Sequence, residues 1–319
     1  MPPSYGTQAY WDERFTKENH FEWLLPPDAL TGPVRDALET CGETAAAAAT
    51  AYYPRLLHIG CGSSDLSFHL RSLVTHGEQV VNVDYSEVAI RKCVEQEALR
   101  RSRDNNGGDH ASMIWKTADL LAPASVAMLR PATDRLGHDA AKEAAPGFFD
   151  VIVDKSTSDC IACADDVKVD LPYRLCLPLH RTAVSLADYP EFEVPTVVPC
   201  SSYVHPLHVI AVHLAALARP RVARWLCLSY SDDRFDFLGT SHINNSSSRK
   251  DSPAFDDDDD NNNLVPDGFP DPRVLWRVEK KQEIVVGEEE ESGDVARPYV
   301  HRPPTVYWLY TLVRTEQPL

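Results

Sequence analysis

The stretch RLLHIGCGSSDLSFHL, residues 55–70, breaks a short apolar run with Gly60, Cys61, Gly62 and two serines before a helix-like pattern begins. Glycines at a strand-to-helix turn let backbone N–H groups approach a ligand closely, because no Cβ stands in the way. Two phosphate motifs fail here. A dinucleotide turn wants a third glycine three residues after the second, where Asp65 stands, and no Gly-Lys-Ser/Thr follows to make a triphosphate loop. Downstream, VVNVDYS closes a second apolar run with Asp84, where a carboxylate can accept both ribose hydroxyls of a nucleoside. WKTADLL sets Asp119 after a third run, within reach of an adenine amino group, and FFDVIVDKSTSD sets Asp154 and Lys155 at the end of a fourth. That edge is where open α/β sheets bind ligands. A lone Asp after a strand is ordinarily a cap or turn former, and Asp84 could cap a helix beginning near Ser86. Four such features in order point instead to a nucleoside cofactor that lacks a pyrophosphate.

The elements that must position these residues alternate along the first 230 positions. Strands are expected at 55–59, 79–84, 113–117, 149–154 and 225–231, with helical patterns near 65–76, 86–103 and 206–218. This rhythm gives crossover units and a mainly parallel sheet, with helices on its faces. Near the C-terminus, RVLWRVEKKQEIVV and PTVYWLYTLVRT are rich in β-branched and aromatic residues and predict an antiparallel hairpin. The chain is expected to form a single domain over 1–319. The stretch at 240–272 is polar, repetitive and acidic, and disorder is expected there because it offers too little apolar surface to offset its ordering entropy. The alanine run at 45–49 and DNNGGDH at 104–110 look like loop expansions.

The formal charge of −17 is uneven: residues 251–294 hold 15 Asp and Glu against 4 Lys and Arg, which is −11 and leaves −6 for the rest. A mildly acidic folded part argues against nucleic acid as a partner and suits a basic protein. No apolar run approaches the roughly 18–20 residues of a membrane span, and the Met-Pro-Pro-Ser opening carries no signal-peptide pattern. Eight scattered cysteines point to a reduced compartment, the cytoplasm or nucleus. The pair Cys160 and Cys163 lacks the second pair that a structural zinc site needs, so no metal is expected. Nothing in the sequence sets an oligomeric state.

In their order, YWDERF, LLHIGCGSSDLS, VVNVDYS, WKTADLL, FFDVIVDKSTSD and LCLSYSDDRFDFL resemble the class I S-adenosylmethionine-dependent methyltransferases. More narrowly, they are similar to the methyltransferase-like group that includes lysine methyltransferases of translation elongation factor 1-alpha. The resemblance covers most of 8–240 and the final strands. It implies a Rossmann-like, seven-stranded sheet whose last strand is antiparallel, with residues 1–30 covering the cofactor. It also implies that Gly60, Cys61 and Gly62 wrap the methionine end, Asp84 holds the ribose, Tyr85 packs on the adenine, and Asp119 with Leu120 frames the base. Asp154 and Lys155 are placed under the transferred methyl, and Trp11 and Arg14 close over the cofactor. Asp154, Asp159 and Tyr230 are the candidates for orienting an acceptor lysine. The departures gather on the acceptor side: Ser156 and Ser158 stand where the group has Gly and Leu, and 166–206 is longer than a simple connection. Ser63 replaces the group's Asn, and His58 stands where many methyltransferases have an acidic residue. No Asn/Asp-Pro-Pro-Tyr tetrapeptide follows the fourth strand, which argues against adenine or glutamine as acceptor. The expected activity is methylation of a lysine on a basic protein, elongation factor 1-alpha being the specific case. The alternatives are a small-molecule methyltransferase with 166–206 as a lid, and a non-catalytic cofactor-binding module.

Overall fold

The computed structural model describes residues 3–47, 53–103, 112–129, 148–175, 200–239, 264–286 and 304–319. Seven strands form one sheet: β1 (Leu56–Ile59), β2 (Val80–Asp84), β3 (Ile114–Thr117), β4 (Val151–Lys155), β7 (Arg224–Ser229), β8 (Trp276–Val286) and β9 (Thr305–Arg314). Their order is β3-β2-β1-β4-β7-β9-β8. The first five run parallel, and β9 lies antiparallel to both β7 and β8. The chain therefore reverses direction across the sheet between β1 and β4, which opens a crevice at their carboxyl ends.

Burial follows this order. Every residue of β1, β2, β4 and β7 is buried, as expected of parallel strands covered on both faces. Successive side chains point to opposite faces, so Leu57 and Ile152 join one core while Leu56, Val151 and Val153 join the other. The first core packs under α7 (Pro206–Leu217), whose twelve residues are all buried. A helix apolar on every side must be enclosed, and α5 (Pro123–Leu129), α8 (Pro272–Leu275) and the loops around Phe235 and Phe269 enclose it. The second core packs under α2 (Asp28–Ala47) and α3 (Leu66–Arg71). At the edge, β8 alternates in exposure and carries Glu279, Lys280, Lys281 and Glu283, charges that discourage pairing with another chain.

Several expectations change. The first three alanines of 45–49 close α2 instead of forming a loop, in keeping with the high helix propensity of alanine. The helix expected over 65–76 ends at Arg71. Residues 264–272, assigned to the disordered tract, are packed: Val265 and Phe269 are buried, and Phe269 lies 4.7 Å from the Tyr173 ring. The rest of that tract, 240–263, and the stretch 104–110 lie outside the described residues. Within 166–206, β5 (Val167–Leu171) and β6 (Cys200–Val204) pair as a separate antiparallel ribbon. The remaining helices are α1 (Gln8–Lys17), α4 (Glu87–Arg103) and α6 (Thr157–Ile161).

One buried carboxylate registers the strands against the helices. Asp150, fully buried, accepts from the Arg55 backbone N–H at 2.8 Å and from Arg219 Nε at 2.6 Å. Burial raises its pKa, and Arg219 opposes the rise. Removing the partner of a buried charge costs about 3–5 kcal/mol. Arg219→Met is expected to lower unfolding free energy by about 3 kcal/mol at pH 7. The loss should shrink towards pH 5, where the unpaired carboxyl takes up a proton, as denaturant melts at the two pH values will show.

Candidate cofactor cleft

The crevice at the ends of β1, β2 and β4 holds about 990 Å³ of space, partly open to solvent. Its floor is the turn after β1. Gly60 and Gly62 adopt φ of +54° and +52°, in the left-handed region that favours glycine. A Cβ on Gly60 would lie 2.1 Å from Thr157 Oγ1, and that hydroxyl donates to the Ile59 carbonyl at 2.9 Å. The turn is hung on β2 as well, because the Cys61 N–H donates to the Val83 carbonyl at 3.0 Å.

Asp84 ends β2 and faces this turn. One carboxylate oxygen accepts from the Gly62 N–H and the other from the Ser86 N–H, both at 2.9 Å. Asp84 also lines the cleft. Burial pushes the Asp84 carboxyl up to about 6, against those two hydrogen bonds. Tyr85 follows, its phenol raised by burial. On the far side Asp119 accepts from the Leu121 N–H at 2.8 Å, which shapes the loop presenting Leu120. The Leu120 carbonyl is held by buried His213 Nδ1 at 2.6 Å, and His213 Nε2 in turn meets the Tyr173 hydroxyl. Thus α7 and the stem of the β5–β6 ribbon together fix the loop after β3.

The roof is the N-terminal segment. Trp11 and Phe15 stack at 5.5 Å, and Trp23 lies 5.9 Å from Trp11 in an edge-on arrangement. All three line the cleft, with Tyr5 and Phe21. Polar ties hold α1 down: Lys92 donates to the carbonyls of Phe15 at 2.5 Å and Glu18 at 3.1 Å, where a cation complements a helix C-terminus. Ser86 Oγ donates to Asp12 Oδ1 at 2.5 Å. Glu22 ties the following segment, accepting from Ser64 Oγ and the Asp65 N–H, both at 2.7 Å, and from the Lys155 ammonium. His58, below the turn, shares a hydrogen bond with Ser67 at 2.9 Å, and burial lowers its pKa to about 3, so it stays neutral.

Trp11, Gly60, Cys61, Gly62, Asp84, Tyr85, Asp119, Leu120 and Lys155 all line the cleft. Four expected residues do not. Asp154 is turned into the α6 N-terminus, where it accepts from the N–H groups of Thr157 at 2.8 Å and Ser158 at 3.2 Å and from the Ser158 hydroxyl. Burial raises it to about 6. Asp159 is consumed by Arg234 Nε at 3.0 Å, the Tyr230 N–H at 3.3 Å and the Ser229 hydroxyl. Tyr230 is 59% exposed and does not line the cleft. Arg14 backs the aromatic roof, with its guanidinium 4.6 Å from the Phe21 ring centre and 4.7 Å from that of Trp23, and it pairs with Glu18 at 2.9 Å. Ser156, in place of glycine, holds φ at +69° and lines the cleft. Its hydroxyl donates to Asp159 at 3.1 Å. Sequence reasoning missed Phe15, Phe21, Trp23, Glu22 and Lys92. The signal for the first three was the density of rings between Tyr5 and Trp23; Glu22 and Lys92 had none, since they meet only through the fold. Cys160 lines the cleft, its thiol raised by burial. Among the described residues no group of three or more His, Cys, Asp or Glu could hold a metal ion.

The strand order, the crevice and the Gly62–Asp84 contact decide the architecture. This is the Rossmann-like class I methyltransferase fold. No family model matches the chain. It is 31% identical over 187 residues to methyltransferase srdJ of Neurospora crassa, a match spanning 58% of this chain and 64% of that protein. Among solved structures it is similar to one describing the conversion of a disulfide bond into a thioacetal group during echinomycin biosynthesis (18% identity, 98% of this chain and 94% of that one, TM-score 0.43). It is also similar to magnesium protoporphyrin IX methyltransferase of Synechocystis PCC 6803 with bound S-adenosylmethionine (11% identity, 98% and 93%, TM-score 0.36). Among the described residues no helix is long and apolar enough to cross a membrane.

Two outcomes test the cleft as built. Gly60→Ala must either leave the left-handed region or displace Thr157, and it is expected to cost about 2 kcal/mol of stability in a thermal melt. Lys92→Met releases the α1 carbonyls, so hydrogen exchange at Trp11–Phe15 should speed up while that of β1 and β4 stays unchanged.

Proposed function

We propose that this chain is an S-adenosylmethionine-dependent methyltransferase. The observation that carries the reading is the meeting, in one cleft, of a two-glycine turn without phosphate-loop features and the Asp84 carboxylate. The turn takes the methionine portion, Asp84 accepts from the ribose hydroxyls, and Asp119 with Leu120 and Tyr85 frames the adenine. The match to a protein named as a methyltransferase supports the same reading. When bound, this cofactor supplies a methyl group already activated on a sulfonium. What the chain must add is alignment and exclusion of water. The aromatic roof on α1 excludes water, and the ties from Lys92, Ser86 and Glu22 hold that roof in place.

For the acceptor we propose a lysine of a basic cytoplasmic protein, with elongation factor 1-alpha the specific candidate. Its support is the sequence resemblance and the acidic balance of the chain. The groups expected to orient that lysine, Asp154, Asp159 and Tyr230, lie off the cleft, which presents Glu18 and the rings of Phe21 and Trp23 instead. The aromatic lining favours a second reading, a small apolar acceptor. Incubating the protein with methyl-labelled cofactor and a fractionated lysate separates the two: label in protein supports the first and label only in small molecules supports the second. Binding without transfer to either fraction would reduce the chain to a cofactor-binding module.

The raised Asp84 carboxyl gives a pH signature of opposite sign in two measurements. Its folded pKa lies near 6, above the usual 3.8, so ionisation weighs against the fold. That contribution favours the folded state increasingly as pH falls from about 6 towards 4. Asp154, raised to a similar value, contributes in the same direction. Cofactor affinity should instead fall below pH 6, because the ribose hydroxyls need an ionised acceptor. Asp84→Asn is expected to weaken binding by about tenfold or more at pH 7.5 and to flatten its dependence between pH 5 and 7, as calorimetry will read.

A further inference from the structure

We propose that the Ser156 hydroxyl receives and orients the methyl acceptor, and that this acceptor is a protic nucleophile, an uncharged amine or a hydroxyl. The proposal rests on the methyltransferase reading above and concerns the acceptor, not the cofactor. The strands meet the crevice in the order β3, β2, β1, β4, β7. On that reading the cofactor takes Asp119 after β3, Asp84 at the end of β2 and the Gly60–Gly62 turn after β1. Ser156, directly after β4, comes next along the same edge: its N–H donates to the Leu228 carbonyl of β7 at 2.9 Å, and it lines the cleft. The flank left for an acceptor is the one that Ser156 occupies.

Ser156 holds φ at +69°, in the left-handed region where a side chain is strained and glycine is not. Such strain persists only where the surroundings enforce it, and it gathers at functional sites. The needs of the fold do not account for the hydroxyl. It makes no capping bond to α6, where Asp154 instead accepts from the Thr157 and Ser158 N–H groups. Its partner is the buried Asp159 carboxylate at 3.1 Å, which Arg234, the Tyr230 N–H and the Ser229 hydroxyl already supply with donors. A carboxylate paired with an arginine only accepts, so the Ser156 proton is committed to it. Towards a ligand such a hydroxyl can itself only accept, and it therefore selects an acceptor that carries an N–H or O–H. In the transfer, the acceptor lone pair forms the new C–N or C–O bond as the C–S pair returns to sulfur. The positive charge passes to the acceptor, which then releases its proton to water.

The test compares Ser156→Gly and Ser156→Ala with wild type by thermal melting, by calorimetry with S-adenosylhomocysteine, and by the initial rate of label transfer into a fractionated lysate from saturating methyl-labelled S-adenosylmethionine. Ser156→Gly removes the hydroxyl and relieves the left-handed strain, so it should melt no lower than wild type. Both variants should bind S-adenosylhomocysteine within about twofold of wild type and transfer label about tenfold more slowly, the loss expected when one hydrogen bond to the reacting group is removed. In the wild-type product, mass spectrometry should find the methyl on nitrogen or oxygen. Wild-type rates in both variants, a loss of S-adenosylhomocysteine binding in parallel with the rate, or a methyl on sulfur or carbon would overturn the proposal and leave the methyltransferase reading standing. Wild type that binds no S-adenosylhomocysteine, or binds it and transfers no label, would bring down that reading and the proposal with it.

Discussion

The Asp84 carboxylate, buried at the end of β2, accepts one backbone N–H from the glycine turn after β1 and another from the start of α4. The continuous stretch from the end of β2 into α4 is thereby tied to the glycine turn after β1. Without a carboxylate there, the Gly62 and Ser86 donors would be buried and unanswered, at a cost of about 1–3 kcal/mol each. With it, the backbone of the turn is held in a left-handed path that no ordinary residue adopts cheaply. The same burial that makes the carboxylate an effective organiser also makes its ionisation costly. On the reading proposed above, ribose hydroxyls donating to it would relieve that cost, so the group that shapes the cleft would also gain when the cofactor binds.

The roof obeys a different logic. Residues 5–23 have little core of their own: Trp11 and Phe15 are buried against Ala89 and the neighbouring rings, and the rest of the segment is half-exposed. Its attachment is polar, through Lys92, Ser86 and Glu22, each crossing a large gap in sequence. Hydrogen bonds at a partly exposed rim contribute about 0.5–1.5 kcal/mol apiece. Such an attachment holds a roof in register while leaving it among the less stable parts of the molecule, as elements that admit ligands generally are. The floor, made of fully buried parallel strands, supplies the rigidity.

Much of this was legible beforehand. The strands of the main sheet and the closing antiparallel hairpin follow from apolar runs and β-branched content, the seven-stranded sheet was implied by the family resemblance, and Gly60, Gly62, Asp84 and Asp119 stand out because each ends or follows such a run. What escaped was whatever depends on contacts across the fold. Asp154 and Asp159 sit beside a strand end and so passed for cleft carboxylates. The structure turns the first into a helix cap and neutralises the second with Arg234, a residue 75 positions away. Glu22 looks like any surface acid until Ser64, Asp65 and Lys155 converge on it. The helix α2 was masked by Pro33 and an alanine-rich end, and the ribbon β5–β6 by the length of chain between its strands.

The hairpin that finishes the sheet has a consequence for how the chain can be cut and rejoined. Val286, the last residue of β8, pairs directly with Thr305, the first of β9. The residues between them close a loop whose ends already touch. For such a closure the entropic cost grows only logarithmically, so doubling the loop adds about 0.6 kcal/mol. This point is therefore a seam in the molecule, at the edge strand of the sheet and away from the crevice between β1 and β4. A chain opened there, with its old termini joined, keeps every strand pairing of the sheet, and a domain spliced in there leaves the cleft as it is.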